Sequence, residues 1–162
     1  MAAPVEKAVS KETARKQILE FVLRGQRYGM DIQSVVEVIA SQAATPVFHT
    51  PPYVLGVMNL RGVVVCLFET AWFFDLPPAA PTPKTRILVM RSNESGAEQE
   101  AGFVVDEVLG ARWIETRSLY PAPPTLAGSI REYITGVIEE AGGPLILLSA
   151  DKIFVSEKVA GL

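Results

Sequence analysis

Short apolar runs broken by Gly, Pro and charged residues recur along almost the whole chain. Ile18-Leu-Glu-Phe-Val-Leu23 stops at Gly25 and Tyr28-Gly-Met-Asp-Ile32 follows at once, a hairpin pattern with Arg24-Gly25-Gln26-Arg27 as its polar turn. The stretch 34–39 differs. Its apolar residues at 32, 35, 36 and 39 have helical spacing and predict a short helix opened by Ser34. Further strands are expected at 54–60, 63–68, 85–91, 102–108, 111–115, 134–139 and 145–148. Strand alternation turns Leu19, Phe21, Val57, Val65, Leu67 and Val104 inward, because a one-residue slip would expose them. Pro77-Pro78-Ala-Ala-Pro81-Thr-Pro83 reads as a stiff connector and 93–100 as a polar hairpin loop. Lys7, Lys11, Glu12, Arg15 and Lys16 stand among small residues without a core stripe. Residues 1–16 therefore read as an N-terminal tail and 158–162 as a C-terminal tail, leaving one domain over 17–157.

The chain also resembles itself. Slid by 80 residues, Tyr53, Gly56, Val57, Gly62, Leu67 and Phe74 fall on Tyr133, Gly136, Val137, Gly142, Leu147 and Phe154. Chance alone would give about one or two such identities over this span. Val35-Val-Glu37-Val38 echoes Val105-Asp-Glu107-Val108 at an offset of 70. A duplication follows, with two similar β units in one domain, each expected to close its own small barrel.

Composition narrows the function classes. The 162 residues are 49% apolar and 20% charged, enough to bury a core without staples. A net charge of −3 gives no electrostatic reason to sit on a phosphate backbone or an anionic membrane. The single cysteine, Cys66, suits a reducing cytosol, and Met1-Ala-Ala-Pro-Val-Glu-Lys7 lacks the apolar stretch of a signal peptide. No uninterrupted apolar run approaches the ~18 residues of a membrane span. A cytoplasmic protein is expected.

Candidate chemistry is sparse. One histidine, His49, and one cysteine offer no metal-ligand cluster. Cys66 lies in Val63-Val-Val-Cys-Leu-Phe68, which reads as a buried strand, and a buried apolar thiol makes an inert nucleophile for any dyad with His49. Asp31, Asp75, Asp106 and Asp151 are scattered at element ends and read as caps or turn residues. No glycine-rich phosphate loop or nucleophile elbow is present, so no enzyme and no cofactor is expected. A small β-barrel ligand sensor stays open as another class. What stands out is Asn59-Leu60-Arg61-Gly62 between two apolar strands, a turn in which Gly supplies backbone freedom and Arg61 is lifted to the rim.

In that frame the chain resembles CheW, the family of bacterial chemotaxis coupling proteins. The resemblance rests on Glu20-Phe-Val-Leu23, Tyr28-Gly-Met-Asp-Ile32, Val35-Val-Glu-Val-Ile39 and Pro52-Tyr-Val-Leu-Gly-Val-Met-Asn-Leu-Arg-Gly-Val63. It continues through Gly102-Phe-Val-Val-Asp-Glu-Val108, Glu132-Tyr-Ile-Thr-Gly-Val137 and Leu145-Ile-Leu-Leu148. It implies a mostly β fold of two SH3-like five-stranded barrels with short helices, packed through a shared apolar core. It further implies a non-enzymatic adaptor that couples the cytoplasmic tips of chemoreceptors to the regulatory domain of a CheA-type histidine kinase, recruited to receptor arrays. Glu37 and Arg61 match the family's paired acidic and arginine positions, which the resemblance places near each other, and with Asn59 and Gly62 they match the partner-binding positions. Val35 and Gly56 match the kinase face, and Gly102 and Gly136 the receptor side. Where the family commonly writes Pro and then Asp after the N-L-R-G strand, this chain has Cys66 and Glu69. Those departures leave room for a dedicated pathway, such as pilus or gliding control, that keeps only some partners.

Overall fold

The computed structural model describes residues 14–92, 98–126 and 128–160. Ten strands dominate it: β1 (Arg15–Leu23), β2 (Gln26–Asp31), β3 (Val35–Ala40), β4 (Val54–Leu60), β5 (Val63–Glu69), β6 (Arg86–Ser92), β7 (Gln99–Val105), β8 (Glu107–Glu115), β9 (Ile134–Ile138) and β10 (Leu145–Leu148). Helices are short: α1 (Thr70–Phe73), α2 (Gly128–Arg131), α3 (Ala150–Val155) and α4 (Glu157–Ala160). The helix expected at 34–39 is instead strand β3, preceded by a single 3-10 turn at Ile32–Ser34. Both faces of β3 carry packing partners, Val35 toward one core and Val36 and Ile39 toward another, and the register shifts between Val35 and Glu37. Such a bulge moves the inward side of the strand by one residue, so its apolar positions lose the two-residue alternation and imitate helical spacing. The first hairpin turn is shorter than expected. It consists of Arg24 and Gly25 alone, both at positive φ, and Gln26 and Arg27 already belong to β2.

Two five-stranded sheets form, in the orders β8-β1-β2-β10-β9 and β3-β6-β7-β5-β4. The first takes strands from both ends of the described chain and is called the terminal barrel; the second is the central barrel. Each sheet is closed by the segment that follows its first-named strand. Thr45 exchanges two backbone hydrogen bonds with Val57 on β4, at 2.8 and 2.9 Å, and Tyr120 does the same with Val137 on β9, both at 2.8 Å. The fold is thus mostly β, with two SH3-like barrels.

The barrels are not the two sequence halves, which corrects the expectation that each half closes its own. In strand order β6 and β7 correspond to β1 and β2, β8 to β3, and the unit β9-β10-α3 to β4-β5-α1, the last being the stretch that matched at an offset of 80. Each barrel pairs one repeat's first hairpin with the other repeat's remaining strands. Registers match across the exchange: β5 runs parallel to β7 with Leu67 opposite Gly102, and β10 runs parallel to β2 with Leu147 opposite Gly29. Leu67 and Leu147 are partners in the sequence repeat.

Three cores result. Ile18, Ile114, Ile138, Leu145 and Leu147 fill the terminal barrel, and Met58, Val65, Leu67, Ile87 and Val89 fill the central one. Between the barrels lies a larger aromatic core in which Phe68 stacks on Phe103 with centroids 5.3 Å apart and Tyr28 on Phe74 at 5.4 Å. Leu19 and Phe21 point into this shared core rather than into a barrel. Val65 and Leu67 are inside as expected, Val104 is partly buried against the central core, and Val57 is half-exposed rather than inward. At the ends, Arg15 and Lys16 belong to β1, and α4 carries regular structure to Ala160. Residues 1–13, and 93–97 of the expected polar loop, lie outside the described residues, while Gln99 and Glu100 belong to β7.

Candidate functional site

The turn between β4 and β5 consists of Arg61 at φ 53° and Gly62 at φ 84°, a two-residue connection whose twist matches the flanking strands. A left-handed Arg costs about 1–2 kcal/mol. The Asn59 side chain offsets part of that cost, since its Oδ1 accepts the Gly62 N–H at 2.9 Å and fixes the turn from within. The asparagine, arginine and glycine of N-L-R-G therefore have separate physical duties: one locks the turn, one leaves it, one permits it.

Arg61 leaves the turn toward β3. Its Nη2 donates to Glu37 Oε2 at 2.7 Å. The two ends of the pair differ in solvation, with the Arg61 side chain 74% exposed and that of Glu37 20%. The other carboxylate oxygen, Glu37 Oε1, is buried and has no hydrogen-bond partner. A carboxylate held largely out of water and satisfied at one oxygen leaves a buried acceptor idle, a cost that folding alone gives little reason to carry at this position. Glu37 thus lies on a strand, not on the helix expected for it, and the tertiary fold still brings it to Arg61.

Next to this pair the sequence reading missed an apolar surface. Val63 and Val64, read as part of a buried strand, are 56% and 67% exposed. They border a shallow groove that also includes Glu98 and Glu100. The signal was available: seven consecutive strand residues from Val63 include six apolar ones, more than one buried face can absorb.

The other expected positions lie elsewhere. Val35 is half-buried and packs against the shared core. Gly56 is buried at φ 141°, and a Cβ there would stand 2.1 Å from the Thr45 carbonyl oxygen that closes the central barrel. Gly102 faces the interior of that barrel, where a Cβ would meet Ile87, Leu67 and Met58 side chains, each at 3.0 Å. Gly136 is buried on β9, where a Cβ would lie 3.0 Å from Leu119. These three glycines set backbone approach and present no side chain to a surface.

Cys66 is half-buried, less enclosed than its sequence suggested, and packs against the shared core. Burial pushes its thiol above the ordinary range, and the Leu67 backbone offsets this only in part, so the thiolate is disfavoured. His49 sits at φ 63° on the exposed loop after Thr45 and shares no hydrogen bond with Cys66. Among the described residues no group of three His, Cys, Asp or Glu side chains could hold a metal ion, and no helix is long and apolar enough to cross a membrane.

Paired SH3-like barrels around a shared aromatic core, with a polar turn and bare valines at one tip, define a class of small β scaffold. Residues 17–158 match the CheW-like domain, and the chain belongs to that family of chemotaxis adaptors and scaffolds. The chemotaxis protein CheW of Klebsiella aerogenes is 30% identical over 149 residues, covering 92% of this chain and 87% of that protein. CheW of Rhizobium meliloti is 29% identical over 143 residues, covering 88% and 90%. The protein FrzA of Myxococcus xanthus is 29% identical over 140 residues, covering 86% and 84%. The crystal structure of the scaffolding protein TtCheW from Thermoanaerobacter tengcongensis superposes with a TM-score of 0.76 at 25% identity, covering 90% of this chain and 96% of that one.

Proposed function

We propose that this chain is a non-enzymatic cytoplasmic adaptor that couples chemoreceptor tips to the regulatory domain of a CheA-type histidine kinase within a receptor array, with no nucleic-acid partner. The observation that carries this reading is the half-solvated Arg61–Glu37 pair beside exposed Val63 and Val64. An exposed ion pair is worth about 0–1 kcal/mol of stability, so folding gives little reason for it. An arginine desolvated at the centre of an interface is a frequent hot spot, and neighbouring apolar side chains would exclude water around it. In this reading Glu37, Asn59, Arg61 and Gly62 make one contact surface with Val35 behind it. Gly56, Gly102 and Gly136 act on partners only by fixing the shape of the barrels.

The test is calorimetric titration of kinase regulatory domain and of receptor tip with wild type and Arg61→Glu. The expected result is affinity at least about tenfold weaker, near 1.4 kcal/mol, for one partner with the melting temperature nearly unchanged. Unchanged affinity for both partners would remove the assignment.

A second reading is favoured by the similarity to FrzA, a relative not named for chemotaxis. In it the chain serves a dedicated pathway such as pilus or gliding control and keeps only one of the two partner classes. Partner capture from native cytosol, with Arg61→Glu as the control, separates the two readings.

A further inference from the structure

A cleft of about 320 Å³ opens where the proline-rich connector passes over the joint between the barrels. Leu55, Val104 and Pro81 give it apolar walls, and Arg24, Glu69 and Asp106 give it charges. Two of those charges satisfy each other. Arg24 Nη1 donates to Asp106 Oδ1 at 2.5 Å, and the Arg24 backbone N–H donates to Oδ2 at 2.6 Å. Arg24 Nε also donates to the Pro77 carbonyl at 2.7 Å, which pins one end of the connector. The other end is pinned by Thr82 N–H donating to Thr85 Oγ1 at 2.8 Å and Thr85 N–H donating to the Thr82 carbonyl at 3.1 Å. The stretch 78–81 spans the cleft between these anchors, and its prolines keep it stiff, so the cleft is formed before any ligand arrives.

Glu69 is the charge left over. It ends β5 and lies half-buried at the start of α1, whose Ala71 amide faces its carboxyl. No described side chain forms an ion pair with it. Burial pushes its carboxyl above the ordinary range; the Ala71 amide and the Arg24 charge oppose this and Asp106 adds to it. A half-dehydrated carboxylate on the wall of a preformed, partly apolar cleft is complementary to one kind of group.

We propose that this cleft binds the ammonium or guanidinium end of a small alkyl cation, with Glu69 as its counter-charge and Leu55, Val104 and Pro81 along its alkyl stem. The same chemistry is carried by a free amine and by a basic side chain of a bound protein, and the test distinguishes them. The full chain, labelled with nitrogen-15, is titrated with agmatine, with an acetylated Ala-Leu-Arg-Ala amide peptide, and with n-butanol as a neutral control.

Saturable shifts at the amides of Ala44, Leu55 and Val104 are expected with the cations. In Glu69→Gln the affinity should fall about tenfold, while the melting temperature stays level or rises because a half-buried charge without an ion-pair partner has been removed. Leu55→Ala, at a partly exposed position, should weaken binding without unfolding the chain. Tighter binding of the peptide than of agmatine assigns the cleft to a partner's side chain, and the reverse to a free amine. The proposal is overturned by an absence of saturable shifts with either cation, by equal binding of n-butanol, by unchanged affinity in Glu69→Gln, or by a lowered melting temperature in that variant.

Discussion

The hairpins β4–β5 and β9–β10 occupy the same place in their barrels and match in sequence, yet their tips have opposite character. At the central barrel the connection is two residues long and lifts Arg61 into solvent, tied to Glu37 at 2.7 Å. At the terminal barrel the connection spans 139–144 and is bound down by charge. Glu20, 7% exposed on β1, meets Arg27 at 3.0 Å and Arg112 at 3.3 Å. Glu140 meets the same two arginines at 2.9 and 2.6 Å, and Arg27 Nη2 also donates to the Gly143 carbonyl at 2.8 Å. Gln26 Nε2 adds a bond to the Pro144 carbonyl at 2.8 Å. Two arginines and two glutamates cancel each other at the barrel end. Duplication supplied two equivalent tips; one spends its arginines internally and the other presents one outward.

On that contrast the largest effect belongs to the terminal tip. Glu20→Ala leaves two partly buried arginines with Glu140 as their remaining partner and should cost about 3 kcal/mol, the low end for a broken buried pair, read by urea unfolding. A cost near that of an ordinary surface change would mean the cluster is not holding the barrel end. The matched glycines give the next effect. A Cβ at Gly29 would stand 2.6 Å from both Ile18 and Leu147 side chains, against 3.0 Å for the nearest atoms at Gly102. Both Gly→Ala changes should destabilise by about 1–3 kcal/mol through overpacking, with Gly29→Ala the worse. A reversed order would break the equivalence of the two barrel interiors.

At the central tip, Arg61→Ala should shift stability by no more than about 1 kcal/mol in the same unfolding experiment. A larger loss would place Arg61 with the structural arginines and erase the contrast. The smallest effect is a pH dependence confined to the terminal tip. Hydrogen bonding to Arg112, and then to Arg27, holds the Glu140 carboxyl below its ordinary range in the folded protein, against the opposing effect of burial. Its contribution to stability is therefore complete above the unfolded value, about 4.3, and is lost as pH falls through the folded one. Melting curves of Glu140→Gln between pH 3 and 7, about the carboxylate range, should converge on wild type at the acid end and fall below it at neutral pH. Parallel curves would contradict the assignment.

Several parts of this architecture were legible from residue order. β10 is legible with its bounds intact because Leu145-Ile-Leu-Leu148 is apolar without interruption and flanked by Pro144 and Ser149. Asn59-Leu-Arg-Gly62 was legible as a turn because its chemistry is local: a side-chain acceptor, a glycine and two strands of matching length. β3 imitates a helix because its bulge between Val35 and Glu37 is set by pairing with β6, about fifty residues further along the chain. Val63 and Val64 were misplaced for the opposite reason, since their composition says burial and only the barrel's outline says exposure.

The repeat marks the most instructive division. Sequence alone established that two similar units exist and where they align, because local strand, glycine and tyrosine patterns survive comparison at a fixed offset. It also placed this chain's Arg61 on an outward turn, which depends on four consecutive residues. Which hairpin pairs with which barrel was decided by tertiary structure alone, since β1 and β2 would find an apolar, glycine-matched neighbour in either repeat. The meeting of Glu37 with Arg61, and the placing of the Glu69 carboxylate under the connector, belong to the same category. Each depends on segments brought together by burial of a common core, and a hydrophobic driving force specifies how much surface is covered rather than which polar groups end up side by side.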